Sequence, residues 1–520
     1  MPKAQKNRAS KQGYTSPTQL TLAGFETPFS KTLNPANRWV RLAHKIPWDT
    51  LVSVYQDQMN NEAFGADGIN PRVVIGSIII KHMCNLSDRE TVQQIQENMY
   101  MQYFIGYSSF SDEEPFDPSL FVGFRKRLGV EQINLINEKI MGLSGNGEDV
   151  AAKKNKDKEE EPPPTEGIVG EDKKQPETPV ELPNKGQLLA DATACPQDIG
   201  YPTDLNLLSD AREKAEELID LLYPHSKLAD KPRNYREIAR KEYLHTAQKK
   251  SKSKQEIRSA IRKQLAYLKR DIRSIHRLID ETGFIPLGRH QYKYLLVIQT
   301  LCDQQEKMYK ERTHSIEHRI VSIHQPHVRP IVRGKTNAYV EFGAKIQVSL
   351  MNGIAFLEDL SWEAFNEGTR LMSTVEQYKR RFGYYPKTVL ADKIYCNRDN
   401  RAKLKGLNII LRAKPLGRPG KAVEAHVSPG ERNPIEGKFG QAKTAYGLNR
   451  IKARLPQTSE SWIASIILVL NLVKITGQVP VSLMQTVFTY SARAMQQIKL
   501  PPWLDLEIFL NFYSTRITAT

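Results

Sequence analysis

Two short apolar runs, each ending in an aspartate, constrain the fold of this chain more than any other feature. They are residues 188–191 (LLAD) and 389–392 (VLAD). Strands of a parallel sheet are buried on both faces and therefore read as unbroken apolar runs. We predict that both runs are strands of a mixed α/β sheet. If they are neighbours, Asp191 and Asp392 lie side by side at the carboxyl edge, where such sheets bind ligands.

The segment after residue 340 supplies the remaining elements of this sheet. Two strand-like runs, 341–350 and 354–360, flank Asn352-Gly353. Asn-Gly in this position is the strongest short hairpin signal. The elements expected after the hairpin are a helix at about 367–383, the strand 387–392, a helix, the strand 408–412, and closing helices that include the apolar segment 462–474.

A third acid would complete a site for divalent metal. Two close carboxylates repel each other, and hard oxygen ligands suit Mg²⁺ or Mn²⁺. The candidate third ligand is Glu436, and Lys443, seven residues further on, would share its face of a helix at about 20°. Each aspartate could instead cap the turn that follows it. Asn433-Pro434 could likewise open a helix and make Glu436 a capping-box acid. These alternatives stay open at the level of local sequence.

The N-terminal region, residues 36–143, is predicted to be a compact helical domain that binds DNA. One helical face carries Trp48, Leu51, Val52, Tyr55 and Met59. The expected helix starts are Asn70-Pro71, the capping-box pair Ser87 and Glu90, and Asp117-Pro118. The last of these helices should turn Leu120, Phe121, Phe124 and Leu128 inward. It also carries the candidate DNA contacts Arg125, Lys126 and Arg127, although three basic residues on a helix are usually a solvated face.

Residues 144–185 are predicted to be a flexible linker. They are rich in Lys, Glu and Pro and nearly free of large apolar side chains, so they cannot bury enough surface to offset the entropy of ordering. Limited proteolysis is therefore expected to cut there first. Residues 1–35 read as a disordered basic tail, 186–478 as the catalytic domain, and 479–520 as a C-terminal helical tail.

Composition narrows the class of protein. The formal net charge is +17, which points to a polyanionic partner such as nucleic acid. The four cysteines are scattered without a C-x-x-C pair, which fits a reducing cytoplasm. The first twenty residues lack an apolar core, and the apolar stretch 462–473 is too short to span a bilayer. We therefore expect neither secretion nor a membrane function, and we expect that stretch to be a buried helix.

A helical insert, residues 205 to about 320, follows the first aspartate. Between residues 231 and 320 there are 22 Lys and Arg against 10 Asp and Glu, a net of 22 − 10 = +12. A helical hairpin with one electropositive side is predicted, and its expected use is contact with the phosphate backbone.

The acids and their neighbours resemble a known family. The order Asp191, Asp392, Glu436, with Arg432 four residues before the glutamate and Lys443 seven after it, resembles the signature of bacterial insertion-sequence transposases of the DDE class. The blocks 191–204, 319–335, 340–345, 432–436 and 447–454 also look like blocks of that group, and 86–128 is similar to its N-terminal helical domain. The resemblance covers about 40–140 and 185–475 and indicates the insertion-sequence-five-like group. One departure is Pro429, where the family often has a tyrosine.

The resemblance implies a ribonuclease-H-like core in which Asp191, Asp392 and Glu436 are catalytic and bind two Mg²⁺ or Mn²⁺ ions. Arg432 and Lys443 would contact DNA phosphates or the metal-bound strand. The protein would act in the bacterial cytoplasm, as a homo-oligomer on double-stranded DNA, where it would cut the terminal inverted repeats and join the 3′-hydroxyls to target DNA. The alternatives are a metal-dependent nuclease, which would not join the cut ends, and an inactive DNA-binding protein, against which the presence of all three acids argues.

The charge of the helical insert leads to a first prediction. Reversing the charge of four of its lysines should weaken binding to every DNA sequence, because phosphate contacts carry no sequence information. The slope of log K against log salt should fall by up to ~0.9 for each phosphate that the variant no longer neutralises. Fluorescence anisotropy across a salt series measures both quantities, and an unchanged slope would contradict the assignment.

Overall fold

The computed structural model describes residues 32–57, 59, 68–142, 183–332, 340–413 and 429–477. Most of the predicted linker (144–182), nearly all of the N-terminal tail and the C-terminal tail lie outside these residues. The described part of the chain is built on a mixed sheet of six strands. The strands are β1 (Gln187–Pro196), β2 (Arg329–Val332), β3 (Val340–Met351), β4 (Ile354–Ser361), β5 (Thr388–Ala391) and β6 (Ile410–Arg412).

Strand β1 lies in the middle of the sheet. It pairs antiparallel with β3 on one side and parallel with β5 on the other. Strands β2 and β4 pair antiparallel with β3, and β6 pairs parallel with β5. The predicted mixed α/β sheet is confirmed, and the two aspartate-bearing runs are neighbours in it.

The predicted hairpin is also confirmed. Met351 pairs with Ile354, so Asn352 and Gly353 are the two turn residues between β3 and β4. Both have positive φ, 50° and 77°, which is the backbone that a tight two-residue hairpin requires and that Asn-Gly adopts at little cost.

Strand β1 is longer than predicted. It does not end at Asp191 but continues to Pro196, because β3 goes on pairing with it as far as Gly343. The parallel pairing with β5 stops at Ala190 and Ala391. Asp191 therefore lies inside β1, at the level where its parallel neighbour ends.

Helices cover both faces of the sheet and form the insert. The N-terminal helices are α1 (Arg38–Lys45), α2 (Trp48–Gln56), α3 (Pro71–Cys84), α4 (Asp88–Glu97), α5 (Met99–Ile105), α6 (Leu120–Arg127) and α7 (Val130–Ile140). The insert contains α8 (Asp204–Leu222), α9 (Arg236–Ala247), α10 (Lys254–Thr282) and α11 (Arg289–Glu311). The remaining helices are α12 (Leu371–Phe382), α13 (Arg398–Gly406), α14 (Pro429–Ala445) and α15 (Pro456–Thr476).

Most local predictions for the N-terminal helices are confirmed. The side chain of Asn70 caps α3, with Pro71 as its first residue. Ser87 and Glu90 form a complete capping box at α4. The inward orientation predicted for Leu120 is wrong, since this residue is 40% exposed. It occupies the first position of α6, which is anchored by Phe121 and Phe124 instead.

The insert has its own apolar core, formed by α8, α10 and α11. Its buried members include Leu208, Ala211, Ile219, Leu268, Ile275, Ile298 and Leu301. The helical nature predicted for residues 205–320 is thus confirmed, and three long helices pack together rather than a simple pair.

Helix α15 is the central helix of the main core. Within the described residues it is long and apolar enough to cross a membrane by length and composition, but 83% of its apolar window is buried inside the protein. The helix is thus longer than the apolar stretch 462–473 that the sequence showed. The helix extends back to Pro456, beyond the apolar run, through polar residues such as Ser459 and Ser461. The expectation of a buried helix is confirmed.

The main core joins the N-terminal helices to the sheet. One cluster of buried side chains contains Trp48, Phe104, Phe121, Ile346, Leu390 and Ile463. A buried asparagine adds polar contacts to this junction. Asn471 on α15 accepts from the Ala355 N–H (2.8 Å) and donates to the Ala355 carbonyl (2.7 Å) and to Asn137 Oδ1 on α7 (2.9 Å).

A buried ion-pair cluster lies at the contact of α6 with α15. Arg125 is 4% exposed and donates two hydrogen bonds to the Asp88 carboxylate, at 2.9 and 2.7 Å. Lys81 Nζ lies 2.9 Å from the same carboxylate, and both cations lie over the Trp462 ring. Burial alone would raise the pKa of Asp88, but the hydrogen bonds and charges of Arg125 and Lys81 lower it to about 2.

The shared core leads to a prediction about proteolysis. After cleavage within residues 143–182, the two fragments should elute together on size exclusion, because the N-terminal helices and the sheet bury side chains in one cluster. Fragments that separate without denaturant would contradict this packing.

The ion-pair cluster leads to a third prediction. Arg125→Gln should lower the free energy of unfolding by about 1–2 kcal/mol, because it leaves the partly buried Asp88 with one cation instead of two. Lys126→Gln is the matched control on the same helix. Lys126 is exposed, so its effect should stay within about 0.5 kcal/mol. Urea unfolding measures both, and equal effects would contradict a structural role for Arg125.

Candidate active site

The carboxylates of Asp191 and Asp392 are placed by the register of two strands. Ala190 of β1 is opposite Ala391 of β5 in parallel pairing, so the next residue of each strand is an aspartate. Asp191 Oδ1 accepts the N–H of Ala192 at 2.8 Å. Asp392 Oδ1 accepts the N–H of Lys393 at 2.7 Å and caps the following turn. The capping role considered for Asp392 is therefore present.

One guanidinium connects the three predicted acids. Arg432 Nη2 lies 3.1 Å from Asp191 Oδ2, and Nη1 lies 3.0 Å from Asp392 Oδ1. The same Nη2 is 3.9 Å from Glu436 Oε1. The structure therefore brings Asp191, Asp392, Glu436 and Arg432 together, although they come from β1, β5 and α14.

Helix α14 begins earlier than predicted. It starts at Pro429, so Pro434 lies inside it and Asn433 is not its N-cap. The residues from Pro429 to Asn433 are already helical, and Pro434 removes one backbone hydrogen bond from the helix. Glu436 therefore cannot be the acid of a capping box at Asn433. It lies one turn after Arg432 on the same face.

The other face of α14 fixes this geometry. Ile435, Ala442 and Ala445 are buried in the main core. Arg432 and Glu436 consequently point away from that core, toward the edge of the sheet. Lys443 lies on the same helix near its end and is half-buried.

The surroundings of Asp191 raise the pKa of its carboxyl group. Burial, together with the nearby carboxylates of Glu367 and Asp392, raises the pKa of Asp191 to about 6, against the opposing effects of the Ala192 N–H and Arg432. A nearby cation favours the ionised form of such a buried carboxyl group. Arg432 supplies that charge in the structure.

Glu367 lies near the site, and the sequence alone did not identify it. It pairs with Lys345 on β3 at 2.9 Å. Asn400 ties its turn to the segment after Asp392 by donating to the carbonyls of Gly368 (2.7 Å) and Tyr395 (2.9 Å). Nothing in the local sequence distinguishes Glu367 from any acid before a helix, so only the folded contacts identify it.

The carboxylates of Asp191, Asp392 and Glu436 are suitable ligands for a divalent metal, but their oxygens are not arranged around one point in this structure. Carboxylate oxygens from three elements are what Mg²⁺ and Mn²⁺ prefer. Among the described residues, however, no group of three His, Cys, Asp or Glu side chains is arranged to hold an ion. The guanidinium of Arg432 separates the carboxylate oxygens that would have to converge.

The predicted basic contacts of α6 have different surroundings. Arg125 is buried against Asp88, whereas Lys126 is exposed. Arg127 donates to the Tyr55 hydroxyl at 2.9 Å. Of the three, Lys126 presents its charge most freely to solvent.

Asp204 is the first residue of α8 and connects the two ends of the insert. The N-cap of α8 is Thr203. Asp204 instead accepts from Arg319 at 2.7 Å and from Gln305 at 3.0 Å. These contacts connect the beginning of the insert to its end, so Asp204 has a structural role.

Comparisons with known proteins bear on the same segments. The family model described as a transposase domain (DUF772) matches residues 28–127, and the model described as a transposase DDE domain matches residues 389–473. The second match contains Asp392, Arg432, Glu436 and Lys443, while Asp191 lies outside both.

One bacterial protein is also similar to part of this chain. A protein of Rhizobium meliloti described as uncharacterized protein ORF8 in nfe locus is 34% identical over 112 residues, which is 20% of this chain and 50% of that protein. The chain therefore spans about half the length of this relative. No solved structure matches. The two family matches lie on the N-terminal helices and on the segment that carries two of the three acids, and together they support an insertion-sequence DDE transposase.

Proposed function

We propose that this protein is a transposase. It would bind double-stranded DNA at the terminal inverted repeats of its element, hydrolyse a phosphodiester at each end, and transfer the freed 3′-hydroxyls to target DNA. The observation that carries the proposal is the parallel register of β1 and β5, which sets Asp191 beside Asp392, with Glu436 reaching the same guanidinium. A core of this kind, with antiparallel strands on one side of β1 and parallel strands on the other, supports the ribonuclease-H-like fold that the resemblance implies.

The chain's own residues would position the reacting groups. Asp191 is held by the Ala192 N–H inside a strand, and Asp392 by the turn that it caps, so both carboxylates keep fixed directions. Glu436 is more exposed, at 59% of its side chain, and lies on the side from which a DNA strand can approach. Two bound Mg²⁺ or Mn²⁺ ions would supply activation of the attacking oxygen and stabilisation of the leaving oxygen.

The basic surfaces would hold the DNA. In the turn that leads from α9 into α10, the side chains of Lys250, Lys252 and Lys254 are exposed, and they can neutralise backbone phosphates. Lys126 on α6 offers a further contact, and Arg432 and Lys443 lie on the helix that carries Glu436. We propose that the N-terminal helices and the insert bind DNA while the sheet carries the chemistry.

Two alternative activities have different outcomes. A nuclease with the same site would release cut ends without joining them, and an inactive DNA-binding protein would do neither. We favour the transposase because both family matches are to transposase domains.

Substitution of the acids tests the proposal. Asp191→Asn, Asp392→Asn and Glu436→Gln keep side-chain size and remove the negative charge that a metal ligand needs. Each should reduce cleavage and joining by on the order of a thousandfold or more. Binding to DNA ends should stay within a few-fold, because affinity comes mainly from basic residues. Gel assays of end cleavage, strand transfer and binding measure the three steps separately.

The matched control is Asp399→Asn. Asp399 is exposed in the first turn of α13, seven residues after Asp392, so cleavage should persist near the parent level. Cleavage retained by Glu436→Gln but abolished in both aspartate variants would remove Glu436 from the site. Cleavage retained by all three would refute the proposed function.

A further inference from the structure

Arg432 occupies the space where the three acids meet. Its guanidinium lies within 3.1 Å of both Asp191 and Asp392 and 3.9 Å from Glu436. The side chain is 17% exposed. Within the described residues, its Nε is buried without a hydrogen-bond partner. The guanidinium is therefore held mainly by carboxylates, and one of its nitrogens, Nε, donates no hydrogen bond within the described residues.

The contacts of Arg432 cannot coexist with a metal on the same oxygens. Mg²⁺ binds carboxylate oxygens at about 2.0–2.1 Å and requires a near-octahedral shell. Asp191 Oδ2 and Asp392 Oδ1 already lie at hydrogen-bond distance from guanidinium nitrogens. An ion that took both oxygens would lie in the space of the guanidinium, and two cations that close repel.

The backbone beside Arg432 has its own anchor. Glu431, the preceding residue, pairs with Arg412 of β6 at 3.0 Å, and Ile435 is buried in the core. The first turn of α14 is therefore tied to the sheet on both sides of Arg432. The long side chain can leave the carboxylates by rotation about its own bonds, without movement of the helix.

We propose that Arg432 is an internal counter-cation that neutralises the acids before metal binds and competes with the metal for them. Loading of the site then requires Arg432 to swing away from Asp191 and Asp392. The released guanidinium can then contact a DNA phosphate. In this way one arginine neutralises the acids in the metal-free protein and contacts DNA in the loaded protein. This inference rests on the proposed function, since it takes the three acids to be the metal ligands.

Metal affinity tests the competition directly. Mn²⁺ binding to the full chain without DNA can be measured from the free-ion signal in electron paramagnetic resonance. Arg432→Gln should bind Mn²⁺ roughly tenfold more tightly than the parent, because the ion no longer has to break three exposed or half-buried ion pairs. Arg432→Lys should lie between the two, since an ammonium keeps the charge but cannot bridge carboxylates as a planar fork does.

A matched control separates this effect from a general change of charge. Arg450→Gln removes one arginine that pairs with the carboxylate of Asp198 on the surface, and its Mn²⁺ affinity should equal that of the parent. Equal or weaker Mn²⁺ binding by Arg432→Gln would overturn the inference.

Thermal stability gives a second readout. In EDTA, Arg432→Gln should melt below the parent because three carboxylates lose their shared cation. Saturating Mn²⁺ should raise the melting temperature of the variant by more than it raises that of the parent. An identical rise in both proteins would count against competition.

The two proposals fail in different ways. If Asp191→Asn binds Mn²⁺ as tightly as the parent, the metal site itself is misassigned and the proposed function fails. If Asp191→Asn loses Mn²⁺ binding but Arg432→Gln gains none, the metal site stands and only the role given to Arg432 fails.

Discussion

The parallel pairing of β1 with β5 is the interaction on which the site depends. It extends over four residue pairs, from Gln187 and Thr388 to Ala190 and Ala391. A shift of one residue would turn one aspartate to the opposite face of the sheet and separate the two carboxylates. Leu188 and Val389 are fully buried on one face, and Leu189 and Leu390 are buried on the other. Burial on both faces therefore fixes the register, and the register fixes the acids.

The packing of α15 extends this constraint to the rest of the chain. This helix contacts α7, β4 and the N-terminal helices, and its buried Asn471 hydrogen-bonds to Asn137 and to the backbone of Ala355. Helix α14, which carries Arg432 and Glu436, packs on α15 and on β1. The N-terminal helices thus share a core with the elements of the candidate site, and a change in how they pack on α15 would be transmitted to α14.

The sequence predicted those structural features that depend on residues close to one another in the chain. Three local features were predictable: the apolar runs ending at Asp191 and Asp392, the Asn352-Gly353 turn, and the capping box of Ser87 and Glu90. Hydrophobic patterns, turn residues and helix caps depend on contacts between residues that are close in the sequence. The three acids predicted as ligands also lie around one guanidinium in the structure.

Features that depend on distant partners were not predictable. The extension of β1 past Asp191 needs β3, which lies about 150 residues away in the sequence. The start of α14 at Pro429 contradicted a strong local signal at Asn433-Pro434. The burial of Arg125 depends on Asp88 and Trp462, and the role of Asp204 depends on Arg319. In each case a tertiary contact outweighed a local preference.

Diffraction from crystals soaked in Mn²⁺, recorded with the anomalous signal of manganese, tests the central claim most directly. We predict a manganese peak between the carboxylates of Asp191 and Asp392, within reach of Glu436, with the Arg432 side chain moved away from them. An absence of manganese at these carboxylates in fully soaked crystals, with Arg432 still bridging the acids, would contradict that claim.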